Sequence, residues 1–268
     1  MTKGILITAD GKQWLRQALL SAWSVSVNSP GIPCTILTQD SPESVHAVSL
    51  EDPRYAEGLQ YAKVELHNRP GPTTGNQYML PRLRNWLLSP YDITLALDSD
   101  TVILDDLTPL FDMGKRFDAC IAHGVRPVRR YYKATRQGAL DPDEIPYAAG
   151  TLQGGVVLFN KSTEKGLKFV NDVIRIYQEN GYYDDQIAMM QAIWRDPGIR
   201  FFHLPKDYNF SSKHDLKRWE HFKFTEGIPT IFHYTQHKSD DVMALVSEYV
   251  VKAQGAKEHY KRHDTYAW

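Results

Sequence analysis

The chain has 268 residues, 42% of them hydrophobic, enough to bury one substantial core and too few for two full domains. Its 31 basic and 32 acidic residues leave a formal net charge of -1, so no global field recruits nucleic acid and any phosphate binding must be local. Only Cys34 and Cys120 are present, too few for a disulfide framework and not spaced as a metal cluster, which points to inert thiols in a reducing compartment.

The chain opens on a β-rich run at residues 4–8 that ends at Ala9-Asp10-Gly11. It has neither the charged start nor the long apolar stretch of a signal peptide. No apolar run approaches the ~20 residues that cross a bilayer, so the expectation is a soluble, cytoplasmic protein without a membrane span. Residues 13–27 carry Trp14, Ala18, Leu19, Ala22, Trp23 and Val27 at helical spacing, and residues 32–38 read as a second strand. The opening is therefore a βαβ unit of a parallel sheet. Residues 61–67 supply a third strand, the Pro- and Gly-rich residues 68–75 a loop, and residues 77–88 a helix that stops at Ser89-Pro90.

Residues 93–97 (ITLAL) form an apolar run suited to a strand buried on both faces, and it leads straight into Asp98-Ser99-Asp100. Further on come strands at residues 120–123 and 154–159, helices at 163–179 and 184–195, and a strand at 231–233. The fold class is α/β, with a mostly parallel sheet flanked by helices. In open α/β sheets the ligand crevice lies just outside the carboxyl ends of the strands. On an extended segment the carboxylates of Asp98 and Asp100, at i and i+2, fall on one side of the backbone, where both reach a divalent cation directly or through water. The competing account is a solvated turn with a helix cap.

The run YDITLALDSDTVILDDL at residues 91–107 resembles the Asp-x-Asp segment of GT-A fold glycosyltransferases, especially glycosyltransferase family 8 and the glycogenin-like enzymes. Three later segments agree in order: TLQGGVVLFN at 151–160 is similar to the strand beside the donor sugar, YDDQ at 183–186 to an Asp-Gln element, and IFHYT at 231–235 to a late His-aromatic element. The resemblance implies a GT-A domain over residues 1–240, with 241–268 as a C-terminal helical extension of it. It also implies transfer of a sugar from a nucleotide-diphosphate donor, a UDP-sugar, to a hydroxyl acceptor with retention of configuration.

By the same resemblance His233 joins Asp98 and Asp100 as a metal ligand, with His237 the competing imidazole. A mixed O/N set of this kind suits Mn²⁺, and Mg²⁺ less readily. Lys238 would meet a phosphate oxygen, five residues after His233 where the family leaves six. Thr8, Ala9 and Asp10 would bind base and ribose, and Arg82, in preference to Arg84, would contact donor sugar or phosphate. Ser99 would line the donor site. Gly154 and Gly155 would let the donor sugar approach the backbone, the other account being a bulge or close strand packing. Gln153 stands where the family has Asn. Asp185 and Gln186 would face the reacting sugar, Asp185 being the better catalytic candidate, against a bland reading as a helix N-cap.

The basic, aromatic stretch RPVRRYYK at 126–133 either holds an acceptor or is a solvated loop. The acceptor class stays open between saccharide, lipid-linked and protein hydroxyls, as does the oligomeric state. Two other functions compete: a non-catalytic nucleotide-sugar-binding protein, and a sugar nucleotidyltransferase, which the turn at residues 7–11 disfavours because it lacks a Gly-rich phosphate loop.

Overall fold

The computed structural model describes residues 1–67, 79–124, 140, 144–146, 148–181, 184–210 and 230–234. The loop at 68–75, the stretch at 126–133, Tyr183, His237, Lys238 and the extension at 241–268 lie outside them.

Strand β1 (Lys3–Thr8) is followed by helix α1 (Lys12–Asn28), whose entry turns on Gly11 at φ 92°, a left-handed conformation that favours glycine. Leu15, Ala18, Leu19, Ala22 and Val25 form the buried stripe of α1, at the spacing that one helix face requires. Strand β2 (Cys34–Thr38) is completely buried. Two short helices then precede β3 (Lys63–Leu66): α2 (Pro42–Ser49) and α3 (Pro53–Tyr61). Their starts are locally encoded, because Ser41 and Asp52 cap them with side-chain oxygens and a proline opens each. Helices of 8 and 9 residues give only about two turns of periodicity, too little to separate them from connecting chain by pattern alone.

Helix α3 lies against α1 at Gly58, where an added Cβ would sit 2.0 Å from the Leu19 carbonyl oxygen and 3.2 Å from the Trp23 nitrogen. Both obstacles are backbone and cannot swing aside. Gly58→Ala is expected to cost about 2–3 kcal/mol, seen as a lowered urea midpoint; a wild-type midpoint would mean that α3 is free to shift.

The remaining elements are α4 (Leu80–Leu88), β4 (Ile93–Leu97), β5 (Thr101–Ile103), α5 (Thr108–Gly114), β6 (Ala119–His123), β7 (Leu152–Asn160), α6 (Glu164–Asn180), α7 (Asp185–Arg195), β8 (Phe201–Leu204) and β9 (Ile231–His233). Seven strands form the central sheet in the order β3-β2-β1-β4-β7-β6-β8, while β5 and β9 make a separate antiparallel pair. In the large sheet only β7 runs against its neighbours, so the sheet is mostly parallel as expected.

Both faces of the sheet are covered. Ile5, Ile7, Leu95 and Leu97 point into one core with α1, α2, α3 and α5, whereas Leu6 and Ala96 point into the other with α4, α6 and α7. This alternation explains why the central strands read as unbroken apolar runs. Among the described residues no helix is long and apolar enough to cross a membrane.

Candidate active site

Strand β1 is flanked by β2 on one side and β4 on the other, so the chain leaves the carboxyl ends of neighbouring strands in opposite directions and opens a crevice there. A cleft of 450 Å³ occupies this place, lined by Thr8 and Asp10 from the end of β1, Trp14 from α1, Arg82 from α4, and Asp98, Ser99 and Asp100 from the turn after β4. The turn is held from two sides: the Asp98 N–H donates to the Gly155 carbonyl oxygen at 2.9 Å, and the Tyr234 N–H donates to the Asp100 carbonyl oxygen at 3.0 Å.

Pairing of β5 with β9 sets Thr101 opposite His233, which delivers the imidazole to the acids. Nε2 of His233 lies 3.1 Å from Asp100 Oδ1 and 3.4 Å from Asp98 Oδ2, and one ligand atom from each residue lies within 4.8 Å of the others. Neighbouring ligands around a cation with bonds of about 2.1 Å stand roughly 3 Å apart, so this donor set is of the right size and chemistry for a divalent cation. His233 is fully buried and Asp98 and Asp100 partly so, which limits competition from water.

Arg82 crosses the site. Its guanidinium stands 2.7 Å from Asp98 Oδ1 and 3.6 Å from Asp185 Oδ2, and it also donates to the Gly154 carbonyl oxygen. Asp184, not Asp185, is the N-cap of α7, accepting from the Gln186 N–H at 3.0 Å, so the Asp185 carboxyl is spared for the site. Strand β7 bulges here: the register against β6 shifts between Ile121 and Ala122, and Gln153 Oε1 accepts from the Gly155 N–H at 2.6 Å. The two glycines make room for the site's own side chains. A Cβ at Gly154 would lie 2.5 Å from Asp185 Oδ1, and one at Gly155 would lie 2.3 Å from His233 Cε1.

Charge follows from this packing. Burial raises the Asp98 pKa, but Arg82 and His233 outweigh it and hold the carboxyl down at about 2. Burial works against a charged His233, yet hydrogen bonds and attraction from Asp100 and Asp98 push it up to about 10. A cation taking Nε2 therefore has to displace a proton. Asp185 goes the other way: burial raises it to about 7, Arg82 opposing and Asp184 and Asp98 adding to the rise.

The folded protein thus holds the Asp185 proton more tightly than the unfolded chain. Between about pH 4 and 7 the unfolded state loses this proton first, and the resulting loss of stability grows with pH. Asp185→Asn, which cannot ionise, should melt roughly 5 °C above the metal-free wild type at pH 8 and close to it at pH 4.5. Equal differences at both pH values would exclude the electrostatic origin.

No protein-family model matches the chain, and no curated protein sequence does either. Solved structures do. The chain is similar to the galactosyltransferase LgtC, with a TM-score of 0.59 over 94% of this chain and 95% of that one at 16% identity. Mouse xyloside xylosyltransferase 1 aligns with a TM-score of 0.57 over 88% and 98% at 15% identity. The glycosyltransferase GlyE of Streptococcus pneumoniae TIGR4 aligns with 0.54 over 98% of this chain and 64% of its own, at 20% identity. The chain has the GT-A fold.

Within this GT-A fold, Asp98, Asp100, His233, Arg82, Asp185 and the two glycines converge at the strand ends, while Thr8, Asp10 and Ser99 line the same cleft. Ala9 buries its methyl in the core and donates its N–H to the Leu37 carbonyl oxygen at 3.0 Å, so its side chain does not reach the cleft. Ser99 is nearly buried and donates to Gln17 Oε1 at 3.3 Å. Gln186 follows Asp185 into α7 and is only partly buried. Arg84 instead pairs with Gln178, at 3.1 Å.

Other residues join the site without a motif of their own. Trp14, 40% exposed, lines the cleft with Gln39, whose N–H donates to Asp10 Oδ1 at 2.7 Å. Asn85, one helical turn after Arg82, donates to Thr8 Oγ1 at 3.2 Å and lies beside the buried His67. Asn209 meets His233. Trp14 had a readable signal, an aromatic in the first turn after the β1 turn, but helical periodicity assigns it to the buried stripe.

Proposed function

We propose that the chain is a metal-dependent glycosyltransferase that moves a sugar from a UDP-sugar to a hydroxyl acceptor with retention of configuration. The observation that carries this reading is the convergence of Asp98, Asp100 and His233, ligand atoms within 4.8 Å of one another, with the two acids lining a cleft at the carboxyl ends of β1 and β4 and His233 buried behind them. The similarity to LgtC, solved with donor and acceptor sugar analogues, supports the same class of reaction.

In this reading Asp98, Asp100 and His233 would hold Mn²⁺ or Mg²⁺, which would supply positive charge to a donor diphosphate. Arg82 orients Asp98 and carries positive charge to the donor side of the site. Asp10 offers a carboxylate to an N–H of the base, and the exposed ring of Trp14 offers a stacking face. Asp185, poised between neutral and ionised near pH 7, orients a sugar or acceptor hydroxyl and can exchange a proton with it. Gly154 and Gln186 flank it on the sugar side, and Lys238 serves the diphosphate.

The test is thermal stabilisation by UDP-, GDP-, ADP- and dTDP-sugars with and without Mn²⁺, on the wild type and Asp100→Ala, alongside an assay for released nucleoside diphosphate. Expected are a stabilisation by UDP-sugars alone that needs Mn²⁺ and the Asp100 carboxylate, about 3 kcal/mol at 100 times Kd, together with UDP release. Binding without any UDP release, given a broad set of hydroxyl acceptors, would favour the non-catalytic nucleotide-sugar-binding protein. No stabilisation by any nucleotide sugar, in folded protein, would remove the reading.

A further inference from the structure

The side of His233 turned away from the acids is also built. Its Nδ1 lies 3.0 Å from Oδ1 of Asn209, and both residues are buried, His233 at 0% and Asn209 at 3% exposure. Asn209 closes the 3-10 turn Lys206–Tyr208, where its N–H donates to the Lys206 carbonyl oxygen at 2.9 Å. Backbone hydrogen bonds lock this turn to β9. Phe210 N–H donates to the Ile231 carbonyl oxygen at 3.0 Å, and His233 N–H donates to the Phe210 carbonyl oxygen at 2.8 Å. Thr230 N–H donates to the Asp207 carbonyl oxygen at 2.8 Å. The amide of Asn209 and the imidazole of His233 therefore face each other across a fixed backbone, and neither can be exchanged for water without opening the core.

We infer that Asn209 is the positioning residue of the cation site: its side-chain oxygen holds the remaining ring proton of His233 on Nδ1, so that the Nε2 lone pair points at the cation between Asp98 and Asp100. An imidazole that ligates through Nε2 keeps its one proton on Nδ1, and a buried N–H needs an acceptor. Among the described residues the acceptor here is Asn209. The pairing also sets the angle of the ring, since rotation about the Cβ–Cγ bond would break the hydrogen bond and carry Nε2 away from the acids. Asn209 touches neither the cation nor a substrate. Its effect passes entirely through His233.

This inference rests on the metal-site reading above, and the experiment separates the two. Mn²⁺ binding to the 268-residue chain is measured by the loss of the free-ion EPR signal, for wild type, Asp98→Ala, Asn209→Leu and Asn209→Asp, with the melting temperature of each metal-free protein recorded. Leucine keeps the volume but removes the acceptor, and aspartate keeps an acceptor in place. The expected result is a 10- to 100-fold weaker Mn²⁺ affinity in Asn209→Leu, restored to the wild-type range or better in Asn209→Asp. A purely structural role would lower both melting temperatures and leave the affinities of the folded proteins alike. Should Asn209→Leu not fold, Asn209→Ala takes its place in the same comparison. Wild-type affinity in Asn209→Leu or Asn209→Ala, with Mn²⁺ binding lost in Asp98→Ala, overturns the inference alone; failure of the wild type to bind Mn²⁺ overturns the metal site and the inference with it.

Discussion

Gly155→Ala is expected to weaken Mn²⁺ binding at least about 100-fold while leaving the sheet folded. The new Cβ would lie 2.3 Å from Cε1 and 2.7 Å from Nδ1 of His233, and 2.8 Å from Asp98 Oδ2. None of these groups can move cheaply. His233 is fully buried and its backbone N–H donates to the Phe210 carbonyl oxygen, while the Gly155 carbonyl oxygen accepts from the Asp98 N–H. The overlap must be relieved by tilting the ring or lifting the turn after β4, and either separates Nε2 from the two acids. Overpacking of this kind costs about 1–3 kcal/mol in stability. Its cost in ligand geometry is larger, because two ligands are displaced at once. Gly31→Ala is the matched control, since nothing lies within 4 Å of its Cβ position. Mn²⁺ titration of both variants, with melting curves, makes the comparison, and unchanged Mn²⁺ affinity in Gly155→Ala would dissociate this glycine from the site.

The second large effect is on stability, from Arg82→Met. In the wild type the guanidinium lies 2.7 Å from Asp98 and 3.6 Å from Asp185, with its own side chain only 17% exposed. Methionine fills much of the volume but leaves the Asp98 carboxylate without its guanidinium partner beside the Asp185 carboxyl. Loss of one partner from a buried ion pair costs on the order of 3 kcal/mol, roughly 9 °C of melting temperature for a domain of this size.

The sign with pH follows from Asp98. Burial alone raises its pKa, and Arg82 is the main influence that reverses this. In the wild type Asp98 is held below its unfolded value and contributes stability above about pH 4. Without Arg82 its folded pKa climbs, and that contribution shrinks or changes sign. The gap between variant and wild type should therefore be wide at pH 8 and narrow toward pH 4 in metal-free melts. A gap independent of pH would assign the role of Arg82 to packing.

Both effects turn on residues whose importance is visible to different degrees in the linear chain. Asp98 and Asp100 were legible because their signal is local: an apolar strand, buried on both faces, ending in two acids. The βαβ opening, the length of α1 and the ends of α6 and α7 were legible for the same reason, as periodicity and capping act over a few neighbouring residues. Helices α2 and α3 were missed although Ser41-Pro42 and Asp52-Pro53 announce them, because each is too short for its apolar stripe to be seen. Likewise β5 and β8, of 3 and 4 residues, are strands only by virtue of the partners that pair with them.

The glycines carry a similar lesson. Gly154 and Gly155 stand out in the chain, and the choice between a bulge and an open approach for a sugar could not be made there. The structure has the bulge, closed by the Gln153 side chain, and also the need for empty space, occupied by Asp185 and His233. Asp185 and Asp184 are adjacent acids at a helix start, and only the direction of α7 separates the capping residue from the buried one.

Residue order along the chain thus settled the α/β class and the position of the acidic turn after a central strand, both properties of short segments, while the imidazole that joins the two acids came only from a family resemblance. Which of them meet was decided by tertiary structure. His233 reaches Asp100 across 133 residues because β9 pairs with β5 in one register, and Asn209 reaches His233 because the turn that ends on it is bonded to the same strand. Strand pairing between distant segments depends on how the whole core closes, a free energy shared among many residues and written at no single position.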